Sequence, residues 1–156
     1  MIVKVTEAWA EAPLKAFIDE SRVLLALLLH PSGQVVGQSG FSKAMDVMSA
    51  CALAAAIHAS SAELGRQLDG KPFGVLHYAG LQKQLFLAPV DTPAGTLLLL
   101  AVFDDAASLG LVQLYFGEFR GRLAAAAPRD ADTGPVLNEQ FERELNRNLA
   151  TLFGRA

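Results

Sequence analysis

The sequence predicts an α+β sandwich, a five-stranded antiparallel sheet packed by helices in the chain order helix, two strands, helix, three strands, helix. Three observations carry this expectation. Short apolar runs bounded by turn residues occur as a pair near the start of the chain and as a trio in its middle. A long helical stretch, Met45 to Leu68, separates the two groups. Of the 156 residues, 52% are hydrophobic and 19% charged, with a mean hydropathy of +0.31, which supplies a real core and an apolar surplus for interfaces.

Taken in order, Ile2 to Val5 is a short apolar run, and Leu14, Phe17 and Ile18 form an i, i+3, i+4 stripe for a first helix. Pro13 suits a first helical position but would bend a helix begun at Thr6. Val23 to His30 is leucine-rich and suits a buried central strand, and Pro31-Ser32-Gly33 turns it into a partner strand, Gln34 to Gln38. Ser42 is the expected N-cap of the long helix, which should stop at the breakers Asp69-Gly70-Lys71-Pro72. Phe73 to Tyr78, Gln82 to Val90 and Thr96 to Phe103, separated by turn compositions, predict an antiparallel meander. Asp104 and Asp105 close the last strand, and Ser108 caps a helix running through Leu111, Val112, Leu114, Tyr115, Phe119 and Leu123.

After Ala127 the composition changes, so the expected organisation is a domain over 1–127, a linker over 128–135 and a C-terminal helical extension over 136–156. The linker, from Pro128 to Pro135, spans at most about 26 Å at roughly 3.3 Å per residue. The extension carries an apolar stripe of Leu137, Phe141, Leu145, Leu149 and Leu152. A helix of this length is marginal by itself, so it must dock, either back on its own domain or on a partner.

The long helix is apolar on two sides. At about 100° per residue, Ala50, Leu53, Ile57, Leu64 and Leu68 fall on one face, and Met48, Cys51, Ala52, Ala55, Ala59 and Ala62 roughly opposite. The large residues suit the chain's own sheet. The small ones suit a second helix at an interaxial distance of about 8 Å, most simply the same helix of a second copy. A core helix enclosed within one domain is the other reading.

Nothing in the chain composes a catalytic, metal or cofactor site. His30, His58 and His77 share no ligand spacing, and Cys51 is the single cysteine. Gly37 to Lys43 fails as a phosphate loop because the lysine does not directly follow a glycine and no Ser or Thr follows it. Asp104-Asp105 reads as a turn and cap. A net charge of -3 with scattered basic residues leaves no footprint for nucleic acid. The longest aliphatic run, Val23 to Leu29, is seven residues, against about 20 for a membrane span. With no signal-like start and no disulfide framework, the expectation is a cytoplasmic protein that does not insert into membranes.

Several segments together resemble the roadblock family. They are Leu25 to Leu29 with His30-Pro-Ser-Gly33 and Val35-Val36, the alanine-rich helix ending near Leu64-Gly65, and the run Leu97 to Leu114, where a hydrophobic strand meets an acidic turn and a Leu-Gly step into a helix. Within that family the resemblance is to the bacterial MglB type of gliding-motility and polarity regulator, whose C-terminal extension the segment ending Leu152-Phe153-Gly154-Arg155 is similar to. The resemblance implies a homodimer whose long helices lie antiparallel while the two sheets join. It further implies a platform for the GTP form of a small Ras-like GTPase of the MglA type, with hydrolysis stimulated without a donated arginine finger. The expected dimer contacts are Met48, Cys51, Ala52, Ala55, Ala59 and Ala62. Expected GTPase contacts are Met45, Met48, Ser49, His58, Glu63 and Arg66 on the platform, with Phe141, Leu145 and Leu149 on the extension. A scaffold that assembles complexes through the same surface is the alternative. A sheet-face ligand sensor is disfavoured, since Leu85, Phe86, Leu87, Leu97 and Leu99 offer few polar groups.

Overall fold

Two leucine-rich strands lying side by side set the layering. A computed structural model describes residues 6–40, 46–129 and 147–148. Its elements are α1 (Ala8–Ser21), β1 (Leu25–Leu29), β2 (Val35–Gly40), α2 (Val47–Asp69), β3 (Leu76–Ala79), β4 (Gln84–Thr92), β5 (Gly95–Phe103) and α3 (Leu109–Ala126). The sheet is antiparallel with strand order β2-β1-β5-β4-β3, so β1 and β5 are central although far apart in sequence. This is the predicted α+β order. Every residue of β1 is buried because both faces of the sheet are covered.

Alternation along the strands sends side chains to two cores. On one face Leu25, Leu27 and Leu29 stand beside their cross-strand partners Val102, Leu100 and Leu98, and α2 lies over them. On the other face Ala26, Leu28, Leu99 and Phe103 meet α1 and α3. There Phe17 and Phe119 pack at 5.5 Å between ring centroids, Phe86 and Phe116 at 5.1 Å. An ion pair of 2.7 Å between Glu20 and Arg122 ties the two helices at the surface. Ser21 is buried and donates its hydroxyl to the Phe17 carbonyl oxygen at 2.6 Å, so no polar cost is left open.

The element ends follow local chemistry, with some departures from expectation. Pro13 lies inside α1, buried, rather than at its start. The cap of α2 is Asp46, not Ser42: its carboxylate accepts from the amides of Met48 at 3.1 Å and Ser49 at 3.4 Å, starting the helix at Val47. Gly70, at φ 75°, closes α2, and Ser108 caps α3 as expected, accepting from the Leu111 amide at 3.1 Å. β3 begins at Leu76 instead of Phe73 because the chain leaving α2 first doubles back over Gly65. The Phe73 amide and Lys71 carbonyl oxygen pass so close there that a Cβ on Gly65 would overlap them. The two sheet edges are treated differently. Edge β2 is covered by the chain's own start, with the Glu7 amide donating to the Val36 carbonyl oxygen at 2.8 Å and the Gln38 amide to Thr6 Oγ1 at 3.4 Å. Among the described residues edge β3 has β4 as its one neighbour.

Gly65→Ala should destabilise the fold by about 1–3 kcal/mol through overpacking of the 71–73 backbone. Gly74→Ala, where an added Cβ meets nothing within 4 Å, should stay within about 0.5 kcal/mol. Urea unfolding of the two variants separates these outcomes.

Candidate interaction surface

Helix α2 presents three faces. Its inward face is small: Cys51, Ala54 and Ala55 are buried on the leucines of β1 and β5, Ala62 is buried further along, and Gly65 lies under the 71–73 backbone. This reverses the expected arrangement in part, since Ala50 and Ile57, expected on the sheet, do pack against it. Cys51, Ala55 and Ala62, expected at a dimer contact, pack within the chain, while Leu53, Leu64 and Leu68, expected on the sheet, are 65%, 52% and 69% exposed. The reason is volume. The central strands already fill the interlayer space with leucine, so the helix above them approaches only with small residues.

The second face is the leucine flank, where Leu53, half-buried Ile57, Leu64 and Leu68 succeed one another at helical spacing. It continues into the sheet. Ala50, Leu53, Ala54 and Ile57 of α2, with Tyr78, Leu85, Leu87 and Leu100 of the strands, line an open groove of about 190 Å³. Tyr78, half exposed, stands on edge strand β3 two residues after Leu76, on the same side of the sheet. Val75 and Leu81, before and after that strand, are exposed as well. Leu85 and Leu87 were expected on a sheet face, but Tyr78 was not singled out from the sequence. The signal that could have found Tyr78 is the alternation Leu76, Tyr78 on a strand too short to be shielded.

The third face is the outer one. Met48, Ala52 and Ala59, from the expected dimer set, lie here exposed, together with Ser49, Glu63 and Arg66 from the expected GTPase platform. Ser49 Oγ donates to Asp46 at 3.1 Å, and Arg66 pairs with Glu63 at 3.2 Å. His58 departs from the platform set, sitting half-buried toward the sheet face. Met45, Phe141, Leu145 and Leu149 lie outside the described residues. By length and composition α2 would suffice to cross a membrane, yet it packs on the sheet and carries Glu63, Arg66 and Asp69 in its last turns.

Burial shifts two titratable groups of α2. Burial pushes the Cys51 thiol up to about 11. Burial, with the Arg66 charge second, pushes His58 below the ordinary imidazole value and keeps it neutral at pH 7. His77 stacks on Phe103 at 6.1 Å with Nε2 2.7 Å from Gln84 Oε1, and His30 Nδ1 accepts from the Ser32 amide at 3.1 Å within its turn. Among the described residues no three His, Cys, Asp or Glu side chains gather as a metal site.

Comparison with known proteins places this geometry. No protein-family model and no curated protein sequence matches the chain. Among solved structures it is similar to Myxococcus xanthus MglB, at 21% identity and a TM-score of 0.69, covering 76% of this chain and 94% of that one. The gliding protein MglB of Thermus thermophilus is similar at 24% identity and 0.67, covering 81% and 97%. A Roadblock/LC7 domain from Streptomyces avermitilis is similar at 18% identity and 0.59, covering 74% and 92%. These likenesses show the roadblock fold in the form that MglB proteins adopt.

Two measurements check the titratable groups. Ellman's reagent at pH 8 should modify Cys51 about 100-fold more slowly in the folded protein than in urea, since a thiol near 11 is scarcely ionised there. For His58 the folded pKa is the lower one, so the unfolded chain binds the extra proton and stability falls as pH drops through the unfolded value, about 6.5. The Tm of the wild type should therefore fall more between pH 7.5 and 5.5 than that of His58→Gln.

Proposed function

We propose that this chain is a homodimeric regulator of a small Ras-like GTPase of the MglA type, acting in bacterial motility or polarity. The observation that carries the reading is the pairing of two uncovered α2 faces, one apolar and one mixed, on a fold shared with MglB, where no catalytic constellation is assembled among the described residues. The leucine flank and groove suit the second copy. A twofold axis beside β3 would set the two α2 leucine rows against each other, antiparallel, and bring the open β3 edges together so that the sheets join. Contact is then made by Leu53, Ile57, Leu64, Leu68 and Tyr78, while Ala54 and Ala55 serve the chain's own sheet.

With its sheet and leucine faces occupied, α2 keeps one face for a third protein. Met48, Ala52, Ala59, Glu63 and Arg66 of both copies would form a continuous ridge with a partly apolar centre and charged ends, the composition of an interface with a polar rim. A GTPase bound there in its GTP form is regulated by differential affinity. Contacts made only with the ordered switch regions populate the hydrolysing conformation, and the GTPase supplies the chemistry. Met45 and the extension residues Phe141, Leu145 and Leu149 belong to the same proposal as further contacts with the GTPase.

Leu53→Glu combined with Leu64→Glu should convert a dimer into a folded monomer, because both positions are exposed in one copy while an unpaired carboxylate buried between copies costs several kcal/mol. Ala55→Glu should instead disrupt folding. Light scattering and circular dichroism at micromolar concentration distinguish the two. Single-turnover GTP hydrolysis by a small GTPase encoded beside this chain should accelerate at least about tenfold on its addition, and Met48→Asp with Ala59→Asp should abolish the effect while sparing the dimer. Binding without acceleration would establish the scaffold role instead.

A further inference from the structure

The backbone of β3 offers its open edge in a fixed pattern. The Gly80 amide donates to the Lys83 carbonyl oxygen at 2.8 Å, closing the β3–β4 hairpin. Hydrogen-bonded and non-hydrogen-bonded positions alternate along an antiparallel pair, so Leu76 and Tyr78, opposite Leu87 and Leu85, direct their backbone groups at β4. The amides and carbonyls of His77 and Ala79 therefore point the other way, to a side where no described strand pairs with them. Two large apolar side chains flank this edge. Val75 is exposed just before β3, and Leu81 is fully exposed at the hairpin tip just after it. Neither packs into either core.

We propose that the twofold axis of the dimer passes between the two Tyr78 residues, with β3 of each copy antiparallel to β3 of the other and Leu81 of each copy anchored on Val75 of the other. The inference rests on the homodimer reading above and fixes its register. An unpaired edge takes a strand, and the position of the outward groups identifies a second copy as the strand that fits. An axis at Leu76 or His77 would leave Ala79 facing a residue outside β3, and an axis at Ala79 would leave His77 so. With the axis at Tyr78, His77 of each copy faces Ala79 of the other, and every outward donor and acceptor of the strand is met by one from the same strand. The side chains agree with this register. Val75 falls opposite Leu81, one exposed apolar residue against another, and Leu76 falls opposite Gly80. Each His77 is large beside a small Ala79, and its ring lies back over its own copy, stacked on Phe103 at 6.1 Å with Nε2 2.7 Å from Gln84 Oε1. The two Tyr78 residues meet at a non-hydrogen-bonded position, where cross-strand side chains approach most closely. Since Tyr78 lines the groove, the pair of rings joins the two grooves across the axis.

Under mild oxidation of the full-length chain, Tyr78→Cys should form a disulfide between two copies, because the two positions stand directly opposite each other. His77→Cys should not, since its equivalents would lie on a diagonal of about 7–8 Å, beyond what a disulfide bridges. Native Cys51 is buried and does not compete. Cross-linking at position 77 as fast as at position 78 would overturn the register. A wild type that is dimeric by light scattering, with no cross-link at position 78, would overturn this inference and leave the homodimer reading standing; a monomeric wild type would overturn both. Independently, Leu81→Ser should leave the chain folded by circular dichroism, because the side chain is fully exposed in one copy. It should raise the dimer dissociation constant at least about tenfold, since two leucines leave the contact. An unchanged constant would overturn the proposal.

Discussion

Packing of the β1 and β5 leucines against each other is the constraint on which the other layers depend. Leu25, Leu27, Leu29, Leu98 and Leu100 project from one side of two adjacent strands and are almost fully buried. Each such side chain contributes roughly 1.5–3 kcal/mol when removed from water, so covering this ridge dominates the energetics of that face. The covering helix must be long enough to cross from the β2 edge toward β3 and small enough to settle on the ridge. α2 meets both requirements with 23 residues and a sheet face of cysteine and alanine. Its larger side chains are thereby displaced to the flank.

That displacement couples the core to the surface. The flank meets the sheet where α2 stops covering it, so the exposed leucines, the groove floored by Leu85, Leu87 and Leu100, and the open β3 edge form one continuous region. The opposite edge does not share this fate, because Thr6 and Glu7 occupy the β2 backbone. An uncovered edge beside an apolar groove is a liability for an isolated chain. In the proposed dimer a second copy would relieve it by extending the sheet and covering the groove in one step.

The order and type of elements were legible because each depends on local periodicity and turn chemistry. Leucine-rich β1, the breakers at Asp69 to Pro72 and the Ser108 cap all act over a few residues. The misplaced details depended on competition between neighbours or on residues distant in sequence. Asp46 caps α2 because its carboxylate reaches the first free amides, a competition with Ser42 that pattern alone does not decide. β3 starts late because Lys71 and Phe73 must first cross Gly65. Tyr78 joins the groove through pairing with Leu85, set by the sheet register.

The amphipathic geometry of α2 illustrates the division. The sequence by itself determined that the helix has two distinct apolar faces, one small and one large, since about 100° per residue and the positions of alanine and leucine suffice for that. Only the tertiary structure decided which face turns inward. The choice rests on the volume left by side chains from β1 and β5, strands separated by about 70 residues of chain and brought together only in the folded sheet. Small against large fills that space and large against large does not, so Cys51, Ala54 and Ala55 belong to the core and Leu53, Leu64 and Leu68 stay exposed.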